Sequence, residues 1–348
     1  MSRYDCEDTD CEEYTNSKDR KTNHFRRTSL RVRREVIAVI VGGALLLTAL
    51  PASAQESSTG YRWARSLPAG TRIDPNVVYG MYSGLALLMD VYYPANPNGY
   101  GIVFIPGSGW AQPLSFDAPS LKESHSQFDG FARPVLAAGY TMFVINVRAT
   151  PRFHYPDPVE DAQRAVRFVR FHAKRYGIHA DRIGALGLSS GANLATMLGV
   201  LGGDGKTEDP DPINRESARV QCVVGGATPT NLSESYTGSS ATYLAAYIGV
   251  PVPEPARKNS AVARKLDEAS PLHYVAPDDP PMMFFHGDAD MTVPYVSAEE
   301  MKAALKRAGV PVKLIRVHGG THEDVFAPGA PDITAAIVGW FDQYLVNK

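Results

Sequence analysis

Cysteine is scarce in this chain: of 348 residues, only Cys6, Cys11 and Cys222. The first two fall in an amino-terminal stretch that reads as removable, so Cys222 would stand alone and an internal disulfide in the mature chain is excluded. Within the apolar run VQCVVGG, Cys222 reads as a small buried hydrophobe rather than a nucleophile. An excess of either charge is also missing. Lys and Arg total 35 against 37 Asp and Glu, interspersed, for a net charge of −2, so there is no electrostatic footprint for nucleic acid. No internal repeat is visible, and no His-Glu-x-x-His spacing marks a zinc site; a metal cluster of His318, His322, Glu323 and Asp324 is disfavoured on that ground. Long apolar runs are limited to Val36–Leu50, VIAVIVGGALLLTAL, shorter than the roughly 20 residues a membrane span usually needs.

That run has a different meaning in its setting. Residues 1–24 are polar, without apolar periodicity, and read as disordered. Arg26, Arg27, Arg31, Arg33 and Arg34 then precede the apolar run, and Pro51-Ala52-Ser53-Ala54 follows it. A basic region, a short apolar core and an A-x-A site make an export signal, with cleavage expected after Ala54 and a periplasmic or secreted product. A membrane anchor over residues 36–50 is the alternative, and with cleavage no stable membrane association is expected. The Arg26-Arg27 pair resembles a twin-arginine signal without its phenylalanine, and Sec export fits equally. Removal of residues 1–54 takes away 9 basic and 8 acidic residues, leaving 26 against 29 and a net charge of −3.

With 44% apolar and 21% charged residues, the remainder is expected to be globular. After a linker over residues 55–76, Val77–Tyr82 and Leu85–Tyr93 read as a hairpin about Ser83-Gly84. Gly101–Ile105 and Thr141–Val147 are continuous apolar runs, as strands buried on both faces require. Phe128–Ala138 has helical spacing and ends at Gly139. Asp157–Tyr176 is the clearest helix, with Asp157 as cap, Pro158 in the first turn and Glu160 completing a capping box. Further strands are expected at Val220–Gly226, Pro281–His286 and Val312–Val317, and helices at Ser297–Ala308 and Ile333–Leu345. Residues 231–280, rich in proline, read as a small cap or lid with an amphipathic piece at Ala241–Ile248. The alternation predicts an α/β domain over 77–348, with a mostly parallel sheet, antiparallel at its start, and helices on both faces.

The chemistry-bearing stretch is RIGALGLSSGANLA, residues 182–195. An apolar strand runs into Gly187-Leu188-Ser189-Ser190-Gly191 and then into a helix-forming segment. In that context G-x-S-x-G is a nucleophile elbow, with the serine on a strained turn and only small residues leaving room for it. A chain with 30 glycines can produce the pentad by accident, so its partners decide. In a parallel α/β sheet they belong on loops at the carboxyl ends of strands. The loop after Met282–Phe285 reads HGDADMTVP, and the loop after Leu314–Val317 reads HGGTHED. The order Ser, Asp, His matches what this architecture uses. His322 is favoured as base over His318, because it lies beyond Gly319-Gly320 where it can lean back over the sheet. Asp290 is favoured as acid over Asp288, which reads as a turn residue. The imidazole takes the serine proton and the carboxylate orients the imidazole. Ser190 would lend its amide to a developing oxyanion, and the PGSGW loop after Gly101–Ile105 would supply a second donor.

These motifs, together with VRATPRFHYPDPVEDAQRAVRFVR and the terminal GGTH, resemble the serine esterases of the α/β-hydrolase superfamily. The likeness is to bacterial carboxylesterases and acetylesterases, feruloyl-esterase-like members included, over residues 77–346. The resemblance implies an α/β-hydrolase fold, a triad of Ser189, Asp290 and His322, and an oxyanion hole from the amides of Ser108, Gly109 and Ser190. It implies no cofactor and no metal, and a small-molecule ester substrate of short acyl length, acylated carbohydrate among the candidates. One departure is that such esterases carry His-Gly-Gly-Gly where this chain has Pro106-Gly107-Ser108-Gly109. Pro106 occupies no donor position, so the chemistry survives, but the loop loses a histidine that helps to hold it. A prolyl-oligopeptidase-like peptidase shares the fold, but no propeller fits the segment Gln55–Asn76. A non-catalytic homologue is disfavoured by the full set of Ser, Asp and His.

Overall fold

The longest apolar runs become the middle of one eight-stranded sheet, ordered β1-β2-β4-β3-β5-β6-β7-β8. The strands are β1 (Arg72–Tyr82), β2 (Leu85–Tyr93), β3 (Gly101–Ile105), β4 (Thr141–Ile145), β5 (Ile183–Leu188), β6 (Cys222–Gly226), β7 (Met282–Gly287) and β8 (Val312–Val317). β1 pairs β2 and β2 pairs β4 antiparallel, and every other pairing is parallel. Each residue of β3 to β7 is buried, as expected of strands covered on both faces. The computed structural model describes residues 67–116, 118–124, 127–233, 238–250, 260–326 and 333–347. The expected disordered extension and export signal (1–54) and residues 55–66 of the expected linker lie outside them. Among the described residues no helix is long and apolar enough to cross a membrane.

Alternation along each strand divides the core in two. In β3, Val103 and Ile105 join one cluster, with Val166 and Val169 of α2 (Asp157–Phe171) and Leu194 and Leu198 of α4 (Ser190–Leu201). Ile102 and Phe104 join the other, with Val135 and Leu136 of α1 (Arg133–Ala137) and Ile337 and Phe341 of α8 (Ile333–Phe341). The remaining α-helices among the described residues are α3 (Ala173–Tyr176), α5 (Gly238–Ile248), α6 (Ala261–Glu268) and α7 (Val296–Arg307). Cys222 is buried and in no disulfide with a described residue.

Local readings differ from the structure where polar side chains make distant bonds. β1 begins at Arg72 rather than Val77, inside the stretch assigned to the linker. Polar cross-strand contacts mark this segment: Tyr93 Oη donates to Asp74 Oδ2 at 2.8 Å, and the Arg72 guanidinium lies 3.5 Å from the Tyr93 ring centroid. Pro75 is tolerated because β1 is an edge strand with a register shift between Asp74 and Val77. The expected capping box at Asp157 and Glu160 does not form. Pro156 is the cap residue, and no side chain caps the helix. Instead, Arg148 donates to Asp157 Oδ1 at 2.7 Å, to Glu160 Oε2 at 3.2 Å and to both Asp161 oxygens. The helix stops at Phe171, with His172 as its cap, before the short α3. The expected helix over Phe128–Ala138 opens with a widened turn, Phe128–Ala132.

A buried ion pair ties the far end of the loop after β3 to the sheet. Lys122 Nζ lies 2.9 Å from Asp90 Oδ1 on β2, and the two side chains are 1% and 0% exposed. The Asn76 amide also donates to Asp90, and Asn146 Oδ1 accepts from Ser120 Oγ and the Lys122 amide. Asp90→Ala would leave an ammonium buried without its carboxylate, which costs about 3–5 kcal/mol. Urea unfolding should show that loss, and the double change Asp90→Leu with Lys122→Met should recover most of it.

Candidate active site

The strand order puts the loops after β3 and β5 side by side where the chain changes direction: from β3 it moves outward to β4, and from β5 it moves the other way to β6. Such a switch point opens a crevice at the carboxyl ends of the strands. Ser189 sits there, between β5 and α4, with φ 51° and ψ −124°. That backbone region is costly for a residue with a side chain. Close packing enforces it. A Cβ on Gly191 would lie 2.0 Å from the Ile105 carbonyl oxygen, and one on Gly187 would lie 2.2 Å from that of Gly191. The Ser189 amide donates to Gly226 O at 2.8 Å, which anchors the turn to β6.

Three side chains from separate loops form one hydrogen-bonded chain. Ser189 Oγ is 3.1 Å from His322 Nε2, and His322 Nδ1 is 2.7 Å from Asp290 Oδ2. Asp290 is buried, and its Oδ1 accepts from the amides of Thr292 and Val293, both at 2.8 Å. Burial pushes its carboxyl up, but hydrogen bonds from His286 and His322, the His322 charge and the Val293 amide outweigh burial and hold it well below the usual carboxylate range. Asp290 is therefore an anion whose charge faces His322. Asp288 takes another part: it accepts from Arg316 Nε at 2.7 Å and the Gly319 amide at 2.6 Å, with exposed His318 at 3.2 Å. Those bonds join the two loops from outside. Asp324 accepts from the Thr321 amide and hydroxyl, bracketing His322. Among the described residues no cluster of three or more His, Cys, Asp or Glu side chains is arranged to hold a metal ion.

His286 is a member of the site that the sequence reading passed over. Fully buried at the end of β7, it places Nε2 2.9 Å from Val293 O and 3.3 Å from Asp290 Oδ2. Its Nδ1 has no partner among the described residues, while Nε2 faces two acceptors, the Val293 carbonyl and the Asp290 carboxylate, and so serves Asp290 as a donor. Its spacing four residues before Asp290, at a strand end, was the available signal.

The loop after β3 departs from expectation at one residue. The Ser108 amide does not face the crevice as an open donor: it donates to Ser190 Oγ at 2.9 Å. The cause is the Ser190 side chain, 2% exposed, which lies across the loop. Among the described residues the amides of Gly109 and Ser190 have no hydrogen-bond partner, and Ser190 is the first residue of α4, where the N–H points out of the helix. Next to them lies a small cleft, about 30 Å³, with Ser189 in its wall and apolar sides from Trp110, Leu232, Tyr243, Leu244 and Val293. Tyr243 and Leu244 come from α5, within the segment read as a cap. Trp110 stacks on Tyr247 of that helix at 4.3 Å, Ser240 Oγ donates to Thr292 O at 2.8 Å, and His154 Nδ1 is 2.7 Å from Ala246 O.

A family model, BD-FAE, matches residues 89–305, more than half of the chain. The chain belongs to the BD-FAE family. Solved structures similar to this BD-FAE chain include a truncated carbohydrate esterase from gut microbiota, with TM-score 0.64 and 25% identity over 79% of this chain and 96% of that one. Another is esterase Est2 of the planctomycete Thermogutta terrifontis, with TM-score 0.57 and 25% identity over 81% and 95%. Its fold is thus the α/β-hydrolase fold expected from the motifs. Among curated proteins, "Probable isoprenylcysteine alpha-carbonyl methylesterase" of Arabidopsis thaliana is 25% identical over 68% of this chain and 48% of its own length. "Probable carboxylic ester hydrolase LipM" of Mycobacterium tuberculosis is 27% identical over 53% and 43%. The chain spans about half the length of the curated relatives it matches.

The Asp290 carboxyl gives a stability test with a defined sign. Its folded pKa lies below the unfolded value of about 3.9, so its contribution is present above that value and is lost as pH falls toward the folded one. The difference in unfolding free energy between wild type and Asp290→Asn should shrink as pH is lowered below about 4. A difference that stays constant in urea titrations between pH 7 and pH 2 would contradict the depressed carboxyl.

Proposed function

We propose that this protein is a serine esterase that hydrolyses carboxylic esters of short acyl groups through an acyl-enzyme. The observation that carries the reading is the unbroken chain Ser189 Oγ, His322, Asp290, with separations of 3.1 and 2.7 Å. His322 Nε2 takes the hydroxyl proton as Ser189 Oγ bonds to the ester carbonyl carbon, and Asp290 stabilises the imidazolium. The negative charge reaching the carbonyl oxygen is met by the Gly109 and Ser190 amides, donors that become fully effective in the transition state. His322 returns the proton to the departing alkoxide oxygen, releasing the alcohol. Water, deprotonated by the same imidazole, then attacks the acyl-enzyme and frees the acid and Ser189.

The narrowness of the cleft supports short acyl chains, since its volume of about 30 Å³ is far below that of pockets for drug-sized ligands. The likeness to a carbohydrate esterase supports an acylated sugar as the alcohol side. The basic and then apolar composition of residues 26–54 supports export before the enzyme meets such a substrate.

Ser189→Ala should lower turnover of p-nitrophenyl acetate by on the order of 10⁴-fold or more while circular dichroism stays unchanged. Retained turnover would remove Ser189 as nucleophile. Asp290→Asn should lower kcat by on the order of 10³–10⁴-fold, because the imidazole loses the anion that orients it. Across an acyl series from acetyl to palmitoyl, kcat/KM should be highest at the short end, and Tyr243→Ala should shift that optimum toward longer chains by opening the cleft. A Pro-containing amide cleaved faster than the esters would instead favour a peptidase.

A further inference from the structure

The reading above needs two amides, one from the loop after β3 and one from the start of α4, held in fixed relation to Ser189. We infer that Gln127 is a positioning residue for these oxyanion donors. Its side-chain amide clamps Gly107 from both sides: the Gly107 amide donates to Gln127 Oε1 at 2.6 Å, and Gln127 Nε2 donates to Gly107 O at 3.0 Å. The pairing reproduces with a side chain the two-bond exchange of an antiparallel backbone pair. It also fixes which way round the Gln127 amide sits, because one of its atoms must accept and the other donate.

Both ends of the clamp are rigid. Gln127 directly precedes Phe128, whose ring is 1% exposed and lies 4.8 Å from the Tyr92 ring, and the Phe128 amide donates to Ser124 O. At the other end, Gly107 presses against the elbow: a Cβ there would lie 2.5 Å from Leu188 O and 2.9 Å from the Ser189 Cβ. The next residue, Ser108, is held through its amide by Ser190 Oγ. With Gly107 and Ser108 both tied down, the Gly109 amide, two residues from the clamp, is left for the oxyanion. Gln127 touches no substrate on this account. It acts through Gly107 on a donor that contributes mainly in the transition state, so its loss should appear in kcat rather than KM.

The inference rests on the esterase reading, and the experiment separates the two. Gln127→Leu removes both bonds at similar volume. Gln127→Glu keeps the shape and the acceptor for the Gly107 amide, but sets a carboxylate oxygen against the Gly107 carbonyl. Both variants are compared with wild type for kcat and KM on a short p-nitrophenyl ester, and for the affinity of a trifluoromethyl ketone, which adds Ser189 Oγ to its carbonyl and leaves an oxyanion facing the donors. Gln127→Leu should lower kcat by about 10–100-fold, as expected of misplaced catalytic groups, with KM little changed. Affinity for the ketone should fall in parallel, and Gln127→Glu should lie between Gln127→Leu and wild type. If Gln127→Leu fails to fold, Gln127→Glu alone carries the test through the same split. Unchanged kcat and ketone affinity in the folded variants, or an effect confined to KM, would overturn the role of Gln127. Loss of activity in Ser189→Ala beside unaffected Gln127 variants would overturn this inference alone. Activity retained in Ser189→Ala would overturn the esterase reading itself.

Discussion

The left-handed turn at Ser189 is the constraint on which the site depends. A backbone at φ 51° costs energy of order 1–3 kcal/mol, so surrounding structure must hold it in place. β5 enters from one side, α4 leaves on the other, and Gly187 and Gly191 allow the two to approach until no side chain fits between them. The same contact brings the Ile105 carbonyl against Gly191, so the turn at Ser189 also sets the distance to the loop carrying Gly109. Ser189 and the loop after β3 are therefore one packed unit.

Asp290 and His322 belong to a second unit, assembled from the loops after β7 and β8. Adjacent parallel strands bring those loops together, and polar bonds lock them. Asp290 gathers the amides of Thr292 and Val293, His286 and His322 around one carboxylate. A carboxylate with that many donors remains ionised despite burial, because hydrogen bonds to the charged form offset desolvation. Asp288 performs the outer fastening through Arg316 and the Gly319 amide. Two aspartates two residues apart thus have different tasks, set by which neighbours surround them.

Charge buried elsewhere serves the same end. Lys122 with Asp90 secures the distal end of the loop after β3, and Arg148 gathers Asp157, Glu160 and Asp161 at the start of α2. Ion pairs of this kind are costly to desolvate and costlier to break. Their consequence here is geometric: the Lys122 segment is tied to β2, and the segment after β4 to the start of α2. The cap helix α5 is fastened likewise through Trp110 on Tyr247 and Ser240 on Thr292.

Much of this was legible in the chain itself. Apolar runs and their alternation with helical segments prescribed the parallel sheet, since buried strands need continuous apolar sequence. The pentad at Gly187–Gly191 specified a turn only small residues permit, and loop order selected Ser189, Asp290 and His322, which the fold brings within hydrogen-bonding distance. These are local signals, carried by residues close together in sequence. Tertiary structure decided the rest. Nothing near position 127 announces that its amide will clamp Gly107. Nothing in the pentad says that the Ser190 hydroxyl will occupy the Ser108 amide, leaving Gly109. At α2 the local rule pointed to a capping box, and Arg148 drew both acids away. Such outcomes depend on which donors and acceptors burial leaves face to face. That is settled by packing between segments far apart in the chain, because a buried polar group must find its partner wherever the fold supplies one.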